Sequence, residues 1–157
     1  MHRPALAFML PFLAIGCATS ISAPMSHESL AIYIEEIAGS AKISPNVLEF
    51  EYRGVSMACI YDIAHDRMRL IAPIASRDAI DATHLEFMLT ANFHTALDAR
   101  YALSSGIVYS AFLHPMSALT HEQLESAIRQ VSALARNFGT SYSSDELLFG
   151  VESGEGI

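Results

Sequence analysis

Basic residues are scarce in this chain: 9 Lys and Arg stand against 17 Asp and Glu, a formal charge of −8. An acidic surface releases no counterions from a phosphate backbone, so nucleic acid is a poor partner. The same charge excludes electrostatic adhesion to anionic lipid, leaving a covalent anchor as the route to a membrane. Cysteine is scarcer still, with Cys17 and Cys59 alone, which excludes a disulfide framework. No apolar run approaches the roughly 20 residues that cross a bilayer, no glycine-rich loop leads a strand into a helix, and no Ser or Cys sits in a nucleophile elbow. What is present in quantity is apolar side chain, 52% of 157 residues, enough for one domain with a real core and too much for disorder along most of the chain.

The first of these apolar residues form an address rather than a core. Met1-His2-Arg3 gives a positive start, and Pro4 to Gly16 is uncharged and rich in Ala, Leu, Phe and Ile. That is the length of a signal-peptide apolar region. Pro4 and Pro11 oppose a buried helix, because an interior proline costs about 3 kcal/mol. Two cleavage patterns fit. Ala14-Ile15-Gly16-Cys17 resembles a bacterial lipobox, in which the cysteine receives diacylglyceride; cleavage after Ala23 is the other, with Pro24 in an unfavourable place just beyond the cut. The lipobox is preferred, although Leu is commoner than Ala at its first position. It implies a signal peptide over residues 1–16, a lipidated Cys17 opening a tether over 17–26, and, with Ala18 following, outer-membrane sorting in a Gram-negative cell. Loss of Arg3 leaves 8 basic and 17 acidic residues, or −9. Cys59 is then single and expected in a buried strand, as a small inert hydrophobe; a Cys17–Cys59 disulfide belongs only to the other scheme, and Cys17 itself would be cut away there.

Beyond residue 26 the periodicities alternate between helix and strand. Ser26 caps a helix over 27–38 that Gly39 stops. Strands follow at 47–52, 55–63 and 68–74, separated by turn signals at Arg53-Gly54 and 64–67. The second is continuously apolar and so expected to be central, and Pro73 is placed near the end of the third. Ser76 and Asp78 offer caps for a helix over about 79–95, apolar on two adjoining faces and expected to be covered on both. Strands at 99–103 and 107–113 flank Ser104-Ser105-Gly106. Thr120 and Gln123 form a capping box for a helix over 121–137 whose Leu124, Ala127, Ile128, Val131 and Leu134 should face the sheet. Leu147 to Val151 is one further apolar piece, and 152–157 is expected to fray. The order α-β-β-β-α-β-β-α, with tight turns within each set of strands, specifies an α+β domain over 27–151 on an antiparallel five-stranded sheet.

The polar residues specify no active site. His121-Glu122 lacks the second histidine of a zinc-protease helix. His84 and His94 stand ten residues apart, about 15 Å along a helix, too far for one ion. Glu35-Glu36 point to different helix faces, while Glu49 and Glu51 share one face of an edge strand and keep it wet. A small hydrolase using His65/Asp66 or His94/Asp98 is the remaining enzymatic reading, although Asp66 in a turn is a common structural choice. The expectation is no enzyme, no cofactor and no metal. The apolar residues Phe87, Met88, Phe93, Tyr109 and Phe112 gather near the second helix and last hairpin, mostly as core, with any strip left over a protein-binding or dimer surface.

Between Leu85 and Ala135 the chain carries more than composition. Leu89-Thr90-Ala91-Asn92 closes a helix, Ala99 to Tyr109 makes a hairpin, and Leu113-His114-Pro115 and Leu119-Thr120 precede an amphipathic helix. This resembles the type III secretion chaperone-like group, which includes Tir-chaperone-type and YbjN-type proteins, and the element order matches over about 27–137. The resemblance implies a small acidic homodimer that binds polypeptides along apolar grooves without catalysis. Chaperones of that group work in the cytoplasm, whereas this chain opens with an export signal, so effector loading does not carry over. The expected protein is a lipid-anchored, non-enzymatic envelope protein with a protein or peptide partner. The alternative is a cytoplasmic secretion chaperone whose true start lies near Met25.

Overall fold

The computed structural model describes residues 25–144. The signal peptide, Cys17, the cut after Ala23, the apolar piece Leu147 to Val151 and the tail at 152–157 lie outside the described residues. Helix α1 (His27–Ala38) begins where Ser26 and Ser29 exchange hydrogen bonds: Ser29 N donates to Ser26 Oγ at 3.1 Å and Ser26 N to Ser29 Oγ at 2.8 Å. Met25, expected in the tether, packs into the core. Gly39, at φ 85°, ends the helix by donating to Glu35 O, a conformation that a Cβ would strain.

Six strands follow, not five: β1 (Lys42–Ser44), β2 (Val47–Tyr52), β3 (Val55–Asp62), β4 (Arg67–Ser76), β5 (Arg100–Ser104) and β6 (Ile107–His114). They form one antiparallel sheet in the order β1-β2-β3-β4-β6-β5. The added strand is β1, too short at 3 residues to show alternation and defined only by pairing with β2. It takes the edge from β2, so Glu49 is not an edge residue but the cross-strand partner of Lys42, Nζ to Oε2 at 2.8 Å. The hairpins β2–β3 and β5–β6 turn through Arg53-Gly54 and Ser105-Gly106, both pairs at positive φ, the handedness that matches strand twist.

Two further expectations are corrected by packing. Pro73 lies inside β4, not at its end, tolerated because the register slips between Pro73 and Ala75 in a bulge. Helix α2 runs Ala82–His94 rather than 79–95, since Ser76 caps only a 3-10 turn (Arg77–Ala79) and Asp81, accepting from His84 N at 2.9 Å, caps the helix itself. Helix α3 (His121–Arg136) starts at the expected Thr120–Gln123 box.

One face of the sheet carries the core. Leu48 and Phe50, Met57, Cys59 and Tyr61, Met68, Leu70 and Ala72, Val108 and Phe112, and Tyr101 lie in register across five strands and are buried. Helix α3 lies over β3 to β6, α1 over β2, and α2 against β5. The inward residues expected of α3 are fully or nearly buried, and Tyr101 Oη donates to Leu134 O at 2.8 Å. Asn92 seats α2 on the β5 edge: its Nδ2 donates to Tyr101 O at 3.1 Å and its Oδ1 accepts from Tyr101 N at 2.7 Å. That amide stands where a neighbouring strand would pair, closing the edge at Tyr101.

Candidate functional site

Among the described residues no helix lies against the opposite face of the sheet, and its apolar content is what made β3 read as a doubly buried strand. In β3, Met57, Cys59 and Tyr61 point into the core, while Ala58 is half-buried and Ile60 exposed. Across the open face the partners run Val47–Ile60–Arg69–Leu113 in one row and Glu49–Ala58–Ile71–Ala111–Arg100 in the next. A third pairs Pro73 with Tyr109 and Tyr109 with Ala102. Alanines at 58, 102 and 111 between taller neighbours hollow the surface. Two adjoining grooves result, of about 510 and 560 Å³, meeting at Ile71 and Tyr109. The first is rimmed by the Lys42–Glu49 pair and Glu51; the second contains one charged side chain, Arg69, beside Ile60 and Leu113. Arg69 is exposed and has no ion pair among the described residues.

A second apolar surface lies on α2. Met88 and Ala91 are buried, but Phe87, Leu89 and Phe93 are 51%, 71% and 80% exposed. Among the described residues the helix is therefore covered on one side only, whereas its sequence suggested covering on two. Of the five residues proposed from sequence as a protein-binding surface, Phe93 shares the outer face of α2 with Leu89, Phe87 lies on another face beside Tyr142, and Tyr109 is in the open face. Met88 and Phe112 point into the core, Phe112 stacked on His114 at 5.9 Å. Sequence reasoning missed Leu89, Ile60, Ile71 and Leu113 as surface residues, since an apolar side chain on a strand or helix gives the same signal whether or not anything covers it.

Several of the titratable groups have structural partners. His65 Nδ1 meets Asp62 Oδ2 at 2.7 Å rather than Asp66, and that bond holds the Asp62 carboxyl below its ordinary pKa. Asp66 accepts from Ser117 Oγ at 2.6 Å and Ser117 N at 2.7 Å, which lower its pKa and tie the β3–β4 turn to the loop after β6. His84 N and its ring bond Asp81, lowering that carboxyl too, and the His94 ring meets Phe93 edge-on at 4.7 Å. Burial pushes the Cys59 thiol up to about 12, so it holds almost no thiolate at neutral pH. A further cleft, of about 380 Å³, is floored by Gln130, whose Oε1 accepts from Asp98 N and Ala99 N and whose Nε2 donates to Ser126 Oγ; its polar atoms are already engaged in holding the turn before β5. No group of three or more His, Cys, Asp or Glu that could hold a metal occurs among the described residues, and no helix among them is long and apolar enough to cross a membrane.

No family model and no curated protein matches this chain. Solved structures do. The chain is similar to the ExsC–ExsE complex with a TM-score of 0.54 at 16% identity, over 69% of this chain and 89% of that one. It is similar to the HopA1–SchA chaperone–effector complex with a TM-score of 0.52 at 12% identity, over 69% of this chain and 94% of that one. The chain shares its fold with these two structures. At such identities the likeness concerns the fold and leaves the ligand to be argued from these residues.

Proposed function

We propose that the domain is a non-enzymatic binding module for an extended protein segment, held by the open face of the sheet. The observation that supports this reading is the pair of joined grooves: a surface lined by Ile60, Ile71, Tyr109 and Leu113 that no helix among the described residues covers. Concave apolar surfaces with a few polar groups are where ligands gain most from leaving water. Arg69, with no ion pair in that setting, selects a partner that carries a carboxylate among apolar side chains. The chaperone-like fold favours a polypeptide partner over a small substrate. A homodimer, which the resemblance implies, belongs to the same proposal and is read by light scattering of the native protein.

The proposed location is the bacterial envelope, with Cys17 lipidated, residues 1–16 removed and the domain facing the periplasm, on the outer membrane in a Gram-negative cell. Growth with labelled fatty acid should place label in the membrane fraction for the wild-type chain and not for Cys17→Ser. A photocrosslinking residue at Leu113 should capture a protein partner in intact cells, and Arg69→Glu should reduce that capture about tenfold. Labelled protein with no crosslink at Leu113 removes the open face as the binding surface. A second reading is a cytoplasmic secretion-type chaperone starting near Met25; what supports it is that Met25, expected in the tether, packs into the core. Unlabelled, cytosolic protein beginning near Met25 would select it.

A further inference from the structure

The charged side chains lining the two grooves of the open face are Lys42, Glu49, Glu51 and Arg69. Lys42 and Glu49 neutralise each other at 2.8 Å. Glu51 in the first groove and Arg69 in the second are exposed and have no ion pair among the described residues. The strand register fixes their separation. Glu51 of β2 pairs with Ser56 and Arg69 of β4 with Ile60, respectively two residues before and two residues after Ala58 on the strand between them. With strands about 4.8 Å apart and about 3.3 Å per residue, each Cα stands about 8 Å from that of Ala58, and the two stand about 16 Å from each other.

The middle of that diagonal is hollow. Ala58 is half-buried in the first groove, with Ile71 beside it on the next strand and Ile60 two residues on. An unpaired acid, a small-residue seat between two isoleucines and an unpaired base therefore follow one another in a line. An extended polypeptide directs alternate side chains to one side, about 6.6 Å apart. Three such side chains, at positions i, i+2 and i+4, span about 13 Å. The long side chains of Glu51 and Arg69 close the rest of the distance.

We propose that the open face recognises an extended segment of another protein with a basic, an apolar and an acidic side chain at alternate positions. The base lies over Glu51, the apolar side chain enters the seat at Ala58 and the acid meets Arg69. This rests on the reading of the open face as the partner site and specifies what the partner carries there. The two charges set the register of the segment, and the central side chain gains by leaving water. The pattern is the same from either end, so a segment with the acid first lies in the opposite sense. A second copy of this chain offers the same two charges, but a two-fold axis through the diagonal sets Ala58 against Ala58. Hollow then faces hollow, leaving a void where protein contacts are close-packed. A segment with a protruding apolar side chain fills it.

The test is an amide chemical-shift titration of the isotope-labelled native protein with three end-capped peptides. One is Thr-Lys-Thr-Ile-Thr-Glu-Thr, and the others carry two lysines or two glutamates at the charged positions. The amides of Ala58 and Ile71 should shift, and the Lys/Glu peptide should bind about fivefold more tightly than either like-charged peptide. Arg69→Glu should transfer the preference to the two-lysine peptide and Glu51→Lys to the two-glutamate peptide. Both side chains are exposed, so both variants keep the fold. Equal affinity for the three peptides overturns the inference and leaves the open face as a binding surface. Amides of Ala58 and Ile71 that stay unmoved at millimolar concentrations of every peptide overturn it together with that reading. Shifts of those amides on dilution without peptide assign the diagonal to a second copy and overturn it too.

Discussion

Two of the exposed apolar surfaces among the described residues are built oppositely. The open face of the sheet is apolar with small side chains at its centre, Ala58 and Ala111, so it is hollow; Ile71 and Tyr109 beside them are half-buried, while Ile60 and Leu113 stand exposed at its side. The outer face of α2 is apolar through Leu89 and Phe93, large side chains that stand clear at 71% and 80% exposed. A hollow surface accepts side chains from an extended ligand, and a protruding one inserts into or is covered by something else. The difference is why the open face is assigned to the partner. It also shows that apolar exposure alone does not name a binding site; the shape around it does.

Adjacent residues of β4 give the sharpest test of the contrast between the covered and open faces. Leu70 is fully buried under the helices and Ile71 lies in the open groove. Leu70→Ala should lower stability by about 2–5 kcal/mol and Ile71→Ala by about 1 kcal/mol or less, as read from urea unfolding. Equal losses would mean that the open face is covered in the native protein. A smaller effect is expected where α3 is capped. Thr120→Ala should cost about 1 kcal/mol, because Thr120 Oγ1 accepts from Gln123 N at the start of the helix that covers most of the sheet. No change in urea midpoint would show that packing alone holds that end.

The smallest expected effect is on pH. The carboxyls of Asp62, Asp66 and Asp81 are lowered by hydrogen bonds that favour the charged form. A group whose folded pKa is depressed adds stability above its unfolded pKa of about 3.9, and that stability is lost as pH falls through the folded value. All three are surface groups, so the urea midpoint should hold between pH 7 and 5 and decline gently below about 4. Asp66→Asn should flatten the decline, because it removes one of the three titrating groups; an unchanged acid slope would mean that the Asp66–Ser117 contact does not persist in solution.

Much of the fold was legible in the chain. Ser26, Thr120 and Gly39 mark helix ends because capping is a local transaction between a side chain and backbone three residues away. The two tight hairpins announced themselves through Arg53-Gly54 and Ser105-Gly106, and α3 through its apolar period. Strand β1 did not, since three residues have no period and only its pairing with β2 defines it. Nor did the bulge at Pro73, which depends on register against β6.

The sequence by itself determined the element types, the acidic surface, the single-domain core and the inertness expected of Cys59. Each of these follows from local propensity, composition or solvation, and needs no knowledge of what lies across the chain. Only the tertiary structure decided which apolar faces are covered. It placed Met88 and Phe112 inside and left Ile60, Leu89 and Leu113 outside. Burial is a property of pairs of surfaces, and a side chain's hydrophobicity states its preference without stating whether a neighbour arrives to satisfy it.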